Sequence, residues 1–272
     1  MLDDALASVR IADPAVGSGA FPLGLINEIV RARQILAIYT GSQKSTYDLK
    51  LHAIQENIYG VDLNPGAVEI CQLRLWLSLI VDETVPHPLP NLNYRIIQGN
   101  SLIEEYEWIK LYDPKLLSYT KLVWKNEFND ERIDLFTLEN SQSNRLYELL
   151  QHKLKKFIET SERTKKQTLK REIDQMKYDL IEITLREQGK AEKITEIQRL
   201  REENITPFFI WQLEFCEIKK KKWGFDIVIG NPPYIDSEEM SKTQPKIREE
   251  ISRIYSFTKW NWDIYIAFFE LW

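Results

Sequence analysis

Residues 231–234, Asn-Pro-Pro-Tyr, are the part of the sequence whose residue types are best suited to chemistry. The two prolines restrict the backbone, Asn231 offers an amide oxygen and Tyr234 offers a flat ring. Asn231 and a proline carbonyl could accept the two N–H groups of a planar exocyclic amine while Tyr234 stacks on the ring that carries it. Acceptors placed in this way would localise the nitrogen lone pair for attack on an electrophile. The alternative is a purely structural role as a rigid proline turn.

A second segment, residues 13–21, reads Asp-Pro-Ala-Val-Gly-Ser-Gly-Ala-Phe and follows a strand-like run. Glycines at such a turn permit positive φ and let a ligand approach the backbone. A dinucleotide fingerprint needs a third glycine, but Gly24 comes two places late, which disfavours a nicotinamide cofactor. No Gly-Lys-Ser/Thr follows, so a P-loop is excluded. Tight packing of strand against helix is the alternative role of these glycines.

Two more polar residues follow strand-like segments. Asp62 could accept both hydroxyls of a ribose, and the amide of Asn100 could contact an adenine edge. Each also has an ordinary structural interpretation, as a helix N-cap for Asp62 and as a turn residue for Asn100.

The elements that must position these residues alternate between strand and helix. Strand-like segments at residues 9–13, 58–62 and 94–100 are separated by helical patterns, which predicts a parallel α/β sheet. Residues 225–229 form a continuous apolar run between Gly224 and Gly230, which predicts a buried central strand.

Residues 144–203 contain no proline and one glycine, and charges of both signs are dense. The pattern predicts two amphipathic helices with a break near residues 160–168, that is, a helical hairpin inserted into the α/β domain. The functional alternative is that this hairpin forms a docking surface for DNA or for a neighbouring domain. The apolar positions are Leu146, Leu150, Leu154 and Phe157, then Ile173, Met176, Leu180 and Ile183.

Composition excludes several classes of protein. The 272 residues carry a net charge of -5, so any contact with DNA must be local or supplied elsewhere. Cys71 and Cys216 cannot form a disulfide framework, and the three histidines lack metal-ligand spacing, so we expect no bound metal. Without a signal peptide or an apolar run of about 20 residues, we expect a soluble, cytoplasmic protein with no membrane partner.

The sequence resembles the amino-methyltransferases that use S-adenosylmethionine (AdoMet). It is most similar to the gamma-arrangement N6-adenine DNA methyltransferases, as in the catalytic region of type IIG restriction-modification enzymes. The resemblance covers most of the chain and rests on residues 13–21, 59–62 with the following helix, 99–102, 206–208 with 224–226, 231–234 and 263–270.

The resemblance implies a Rossmann-like methyltransferase sheet, incomplete in this chain, with the helical hairpin inserted. The implied segments are an AdoMet-binding half at 1–103, a mainly helical insertion at 104–205 and a truncated catalytic-motif half at 206–272. Asn231, Pro232, Pro233 and Tyr234 would hold an adenine extruded from double-stranded DNA. The residues implied to bind AdoMet are Asp13, Pro14, Ala15, Gly17, Gly19, Phe21, Asp62, Leu63, Asn100 and Ser101.

Departures from the family pattern limit these expectations. Asn100 stands where the family often has an acid. The motif that precedes the first strand, the last strands of the sheet and the DNA-recognition domain are expected outside this chain. We therefore expect an incomplete fragment that does not turn over alone. The segment Glu217-Ile218-Lys219 has the E-x-K spacing of a nuclease but no acidic partner placed by the sequence.

Three alternatives stay open. A methyltransferase could act on another planar nitrogen, such as a glutamine amide of a protein or an RNA base. Methylation of cytosine N4 is a further variant, although those enzymes usually carry Ser where Asn231 stands. A non-catalytic interaction module, whose helical hairpin binds a partner, is the alternative from another class.

Overall fold

A computed structural model of the chain describes residues 1–41, 43–81, 89–113, 135–160, 162–203, 205–220 and 224–272. The chain splits into two compact units, Met1–Ile103 with Lys221–Trp272 and Glu104–Lys220. The resemblance implies a segment boundary at residue 206, and the structure groups residues 206–220 with the second unit. The reason is packing, because Trp211, Leu213 and Cys216 are buried there.

The first unit is built from two separate stretches of chain. In order, its elements are α1 (Leu2–Ser8), β1 (Ile11–Asp13), α2 (Ala20–Thr40), α3 (Thr46–His52), a π-helical turn (Ala53–Asn57), β2 (Ile58–Asp62), α4 (Pro65–Ile80) and β3 (Ile96–Gln98). The second unit follows with β4 (Glu105–Tyr106), β5 (Ile109–Lys110), α5 (Leu135–Glu159), α6 (Arg163–Glu187), a 3-10 turn (Ala191–Lys193), α7 (Ile194–Glu202), α8 (Trp211–Glu214) and a 3-10 turn (Cys216–Lys220). The chain then returns to the first unit with β6 (Ile227–Val228), α9 (Ser237–Thr243), α10 (Pro245–Ile254) and α11 (Ile264–Leu271).

Four parallel strands form the sheet of the first unit, in the order β3-β2-β1-β6. Ile11 pairs with Ile58 on one side and with Ile227 on the other, and Gly60 pairs with Ile96. The predicted alternation of strand and helix and the predicted parallel sheet are therefore confirmed.

The expectation of a buried central strand at residues 225–229 is wrong in this structure. Within the described residues β6 pairs with β1 alone, and the side chain of Ile227 is 45% exposed. An apolar run predicts that a strand belongs to a core, but burial also requires a neighbour on each edge and a layer on each face. Here β1 supplies one edge.

Helices α2, α3 and α4 cover the sheet and form its core. On α4 the residues Val68, Cys71, Leu75 and Leu79 recur at helical spacing and are buried. They pack in one cluster with Ile11 and with other apolar side chains of the sheet and of α2. Burial of each Leu or Val contributes roughly 1.5–3 kcal/mol, so this cluster holds the strand ends in register.

The second unit contains the predicted helical hairpin, formed by α5 and α6. Its apolar seam includes Leu150, Leu154 and Phe157 on α5 and Leu169 and Ile173 on α6. The chain break is shorter than predicted, because α6 already begins at Arg163 rather than beyond residue 168. Lys, Arg and Gln favour helix almost as well as Leu, so a polar stretch without Gly or Pro need not end a helix.

Two seam positions predicted on α6 are only half-buried. Met176 and Ile183 lie beside the seam, while their neighbours Lys177 and Thr184 are buried. Lys177 Nζ lies 2.6 Å from Glu214 Oε2, and the Thr184 hydroxyl donates to the Leu180 carbonyl at 2.9 Å. Partnered polar groups therefore take part of the interior that periodicity assigns to apolar side chains.

Within the described residues, no helix has both the length and the apolar character needed to cross a membrane.

Candidate active site

The predicted site residues of the first unit meet at the carboxyl edge of its sheet. Asp13 ends β1, Asp62 ends β2, Asn100 follows β3 and residues 231–234 follow β6. Because all four strands are parallel, their carboxyl ends lie on one edge, where ligand sites of α/β sheets form. The topology thus gathers residues separated by more than 200 positions in the chain.

The turn after β1 is fixed by its glycines and by backbone contacts to β2. Gly17 has φ +53° and its N–H donates to Asp62 Oδ2 at 2.8 Å. Val16 N–H donates to the Val61 carbonyl at 2.9 Å. Gly19 has φ +83°, and a Cβ there would lie 2.6 Å from Cys71 Sγ. Gly19 thus permits close packing of the turn after β1 against α4, whereas a Cβ on Gly17 would meet nothing within 4 Å.

Asp62 is engaged through both oxygens. Oδ2 accepts from Gly17 and Oδ1 accepts from the Asn64 N–H at 2.8 Å. The N-cap of α4 is Asn64, whose Oδ1 accepts from Gly66 at 2.9 Å and Ala67 at 3.4 Å. The N-cap interpretation of Asp62 is therefore wrong. Each carboxylate oxygen has a second lone pair, so Asp62 keeps the capacity to accept hydroxyl groups.

Asp13 is the buried acid of the edge. Its side chain is 2% exposed, and Oδ1 accepts from Ala15 N–H at 3.1 Å. Oδ2 is buried and has no hydrogen-bond partner among the described residues. Burial raises the pKa of Asp13 to about 7; the Ala15 N–H opposes this shift and the charge of Asp62 adds to it. Burial of an oxygen without a hydrogen-bond partner costs free energy of folding. A bound donor or cation that contacted Asp13 Oδ2 would recover part of this free energy.

The segment after β3 is tied to the turn after β1. Gly99 N–H donates to the Asp62 carbonyl at 2.9 Å, and the Ser101 hydroxyl donates to the Pro14 carbonyl at 2.7 Å. Asn100 Oδ1 accepts from Leu102 N–H at 3.2 Å, which is the arrangement of a turn residue. Ser101 is buried and half-buried Asn100 lies beside it, so Ser101 joins the loops while Asn100 remains the more accessible of the two.

The Asn-Pro-Pro-Tyr segment is the exposed part of the edge. Tyr234 is 79% exposed, and its hydroxyl donates to Asn231 Oδ1 at 3.0 Å. Pro233 is exposed and Pro232 is half-buried. A flat ring and an amide acceptor are thus presented together, side by side, on the surface of the first unit.

Contacts behind this segment hold it in place. Ile264 N–H donates to the Ile235 carbonyl at 3.0 Å, and Ser237 N–H donates to the Trp262 carbonyl at 2.8 Å. Asp236 caps α9 through the Glu239 N–H at 2.7 Å. The chain from α9 to α11 therefore supports the exposed segment from the side away from solvent.

Gly230 lies close to the turn after β1, immediately before Asn231. Ile229 N–H donates to the Ala12 carbonyl at 2.9 Å, which sets the next residue directly against the turn after β1. A Cβ on Gly230 would lie 3.0 Å from Asp13 Oδ1 and 3.4 Å from Pro14 Cδ. Its place directly before Asn231 is the sequence signal, but the close approach becomes visible only in three dimensions.

The remaining predicted residues differ in exposure. Pro14 is buried and Ala15 is half-buried, while Phe21 is 43% and Leu63 is 57% exposed. Open aromatic and aliphatic side chains beside the glycine turn could cover an apolar part of a ligand. In the portion of the chain that the structure describes, no group of three or more His, Cys, Asp or Glu side chains could hold a metal ion.

A parallel sheet with these loops at its carboxyl edge is a Rossmann-like methyltransferase fold, as the resemblance implies. The chain belongs to the Eco57I restriction-modification methylase family, whose model matches residues 56–272. The family-level resemblance found in the sequence is confirmed. Residues 13–21 precede the matched region.

A relative from Methanocaldococcus jannaschii, named "Putative type II restriction enzyme and methyltransferase", is 30% identical to this chain over 276 residues. The alignment covers 85% of this chain and 22% of the relative. The chain thus spans about a fifth of the length of that relative.

Proposed function

We propose that this chain is the methyl-transfer part of a restriction-modification enzyme. Its reaction is the transfer of a methyl group from AdoMet to the N6 amine of an adenine extruded from double-stranded DNA. The observation that carries the proposal is the pairing of Tyr234 with Asn231, exposed at the carboxyl edge of the sheet that also contains the glycine turn. Membership of a restriction-modification methylase family supports DNA as the substrate.

The buried and half-buried groups of the edge fit AdoMet. The unpartnered Oδ2 of Asp13 suits the ammonium group of the methionine part, which would supply the missing donor. Asp62 can accept the ribose hydroxyls through its remaining lone pairs, and Asn100 would contact the adenine. When bound, AdoMet supplies an electrophilic methyl group. The proposed binding residues are Asp13, Pro14, Ala15, Gly17, Gly19, Phe21, Asp62, Leu63, Asn100 and Ser101.

The residues of the exposed segment would act on the target amine. Asn231 Oδ1 has a lone pair besides the one that receives the Tyr234 hydroxyl, so it can accept an amine N–H. The Pro232 carbonyl would accept the other, and Pro233 would keep the segment rigid. Tyr234 would stack on the base, an interaction worth about 1–3 kcal/mol. Acceptors on both hydrogens localise the nitrogen lone pair in the direction of the methyl group.

The specificity for adenine is part of the proposal and rests on the family resemblance at Asn231. An amide oxygen there accepts an amine N–H from adenine and from cytosine alike, but the cytosine N4 enzymes usually have Ser at this place. The DNA-recognition surface is proposed to lie largely outside this chain, in keeping with its net charge of -5. The protein is accordingly proposed to be a type IIG-like enzyme that needs no metal for methyl transfer and acts in the cytoplasm.

The test is radiolabelled methyl transfer from AdoMet by the longest natural polypeptide that contains this chain. Unmethylated genomic DNA, RNA and cell protein are offered separately, and the labelled product is digested and identified. We expect N6-methyladenine in DNA. Label in N4-methylcytosine would contradict the base assignment, and label in RNA or protein would contradict the substrate. Absence of both label and AdoMet binding would favour the non-catalytic interaction module.

A further inference from the structure

The end of the α5–α6 hairpin at which the two helices are joined carries a concentration of positive charge. In the sequence, residues 152–172 contain eight Lys or Arg and three Glu, a net charge of +5 in a chain whose net charge is -5. By contrast, residues 104–113 of the same unit contain four acidic residues and one Lys, a net charge of -3. Positive charge is therefore segregated to one end of the second unit.

We define the basic hairpin end by the cationic residues of the last two turns of α5 and the first turns of α6. Lys156, Lys170 and Arg171 are exposed, and Lys165 is 69% exposed. The members whose side chains the structure describes are Lys153, Lys155, Lys156, Lys165, Lys166, Lys170 and Arg171.

Two lysines of this set form ion pairs with Glu side chains. Lys153 Nζ lies 2.6 Å from Glu172 Oε2, and Lys165 Nζ lies 2.6 Å from Glu162 Oε2. The first of these ion pairs joins the two helices level with one another, so cations of both helices occupy the same stretch of the hairpin. Its seam of Leu154, Phe157 and Leu169 is buried, which keeps the two helices together.

The spacing of the cations suits a duplex backbone. On α6 the cations run from Lys165 to Arg171, a span of about 10 Å at 1.5 Å per residue. Double-stranded DNA carries one negative charge per about 1.7 Å of axis, so a similar length of duplex presents several phosphates to the two helices. Lys and Arg side chains on exposed helix positions reach such phosphates without reading the bases.

We propose that the basic hairpin end binds the phosphate backbone of double-stranded DNA and so gives this chain a DNA contact of its own. The choice of DNA as the partner rests on the proposed function. The charge segregation and the exposure of the cations are independent of it. The contact is electrostatic and sequence-independent, and it adds to the recognition expected from elsewhere in the enzyme.

The test compares two triple variants of the full 272-residue chain. The hairpin triple is Lys156→Gln, Lys170→Gln and Arg171→Gln. The control triple, Arg186→Gln, Lys190→Gln and Arg199→Gln, removes the same charge from exposed positions of the same unit away from the hairpin end. Gln is close to Lys and Arg in helix propensity, so folding should be retained, and circular dichroism checks this.

Binding is measured by fluorescence anisotropy with a labelled 30-base-pair unmethylated duplex between about 50 and 200 mM salt. We expect the hairpin triple to weaken binding about tenfold or more at the lower salt and to reduce the slope of log K against log salt by about 2.7. The control triple should change affinity by about twofold or less. Equal losses in both triples, no loss in the hairpin triple, or no duplex binding by the wild-type chain would overturn the proposal.

Two further arms test the identity of the polyanion. A duplex RNA of equal length and vesicles of phosphatidylcholine with phosphatidylserine are titrated in the same way. Tighter binding to either one than to the DNA duplex would contradict DNA as the partner. The methyl-label experiment separates the two proposals: label absent from DNA with duplex affinity lost in the hairpin triple refutes methyl transfer and leaves the surface standing. Label in DNA, together with unaltered duplex affinity in the hairpin triple, would support methyl transfer and refute the proposed DNA-binding surface.

Discussion

The sheet edge of the first unit and the basic hairpin end of the second unit differ in how their residues acquire a role. At the sheet edge, side chains from four strand ends are fixed by individual hydrogen bonds, such as Gly17 to Asp62 and Ser101 to Pro14. At the hairpin end, several exposed cations share one region, and the proposed DNA contact depends on their summed charge. A single substitution should therefore have a large effect on activity or ligand affinity at the sheet edge. At the hairpin end, the effects of single substitutions on DNA affinity should be small and cumulative.

The largest effect is expected at the exposed segment of the edge. In the longest natural polypeptide that contains this chain, Asn231→Ala or Tyr234→Ala should lower the methylation rate at least about 10²-fold, because each removes a group that acts on the amine in the transition state. AdoMet affinity should stay nearly unchanged. The matched controls are Asn93→Ala and Tyr39→Ala, two exposed residues of the same unit away from this edge. Full methylation by either site variant would break the assignment of the segment.

Next in size is the loss of Asp62. Asp62→Ala removes the acceptor of Gly17 and Asn64 N–H groups and the proposed acceptor of the ribose hydroxyls. A hydrogen bond to a charged group contributes about 1.5–3 kcal/mol, so AdoMet should bind roughly 10- to 100-fold more weakly. Calorimetric titration measures this. Asp48→Ala, which alters a capping acid at α3, is the control, and unchanged affinity in Asp62→Ala would remove Asp62 from the site.

Asp13 should give the first unit a pH-dependent stability. Its pKa is raised in the folded protein, from 3.8 to about 7, so the folded state holds a proton that the unfolded state releases between these values. The free energy of unfolding should therefore fall as pH rises from about 4 to about 7 and then level off, by at most about 4 kcal/mol.

Asp13→Asn should remove this slope and stabilise the protein at pH 8, while weakening AdoMet binding. Urea denaturation at pH 5 and pH 8 measures the slope, with the exposed Asp4→Asn as the control. An identical pH slope in Asp13→Asn and in the wild-type chain would show that Asp13 is not the titrating group.

The smallest effect is expected at Gly230. In Gly230→Ala the new Cβ lies 3.0 Å from Asp13 Oδ1, so the exposed segment or the turn after β1 must shift by a few tenths of an ångström. We expect a loss of methylation of about tenfold or less with little change in stability. Gly24→Ala, where a Cβ meets nothing within 4 Å, is the control. Equal rates in both variants would show that the close approach at Gly230 has no role in positioning.

Sequence periodicity predicts the alternating elements and therefore the edge at which the strands end. Asp13, Asp62 and Asn231 fall at this edge because parallel strands present their carboxyl ends together. The exposure of Ile227 could not be read from its apolar run, because burial depends on neighbours supplied by other parts of a chain.

The hydrogen-bond partners of the polar groups likewise could not be predicted from the sequence. Asp62 and Asn64 are both suitable N-cap residues two positions apart, and only the geometry assigns the cap to Asn64. Ser101 is bonded to Pro14, 87 positions away, which no local pattern encodes. The early start of α6 at Arg163 reflects helix propensity that outweighs polarity.

The central claim is that one sheet edge holds the cofactor and the target amine with separable residues. AdoMet is titrated by calorimetry into the longest natural polypeptide that contains this chain, as wild-type protein and as Asp62→Ala and Asn231→Ala, and the methylation rate is measured on the same preparations. We predict that Asp62→Ala loses AdoMet affinity, and that Asn231→Ala binds AdoMet like the wild-type protein but does not methylate. AdoMet binding that is absent from the wild-type protein, or that is lost equally in both variants, would contradict the account.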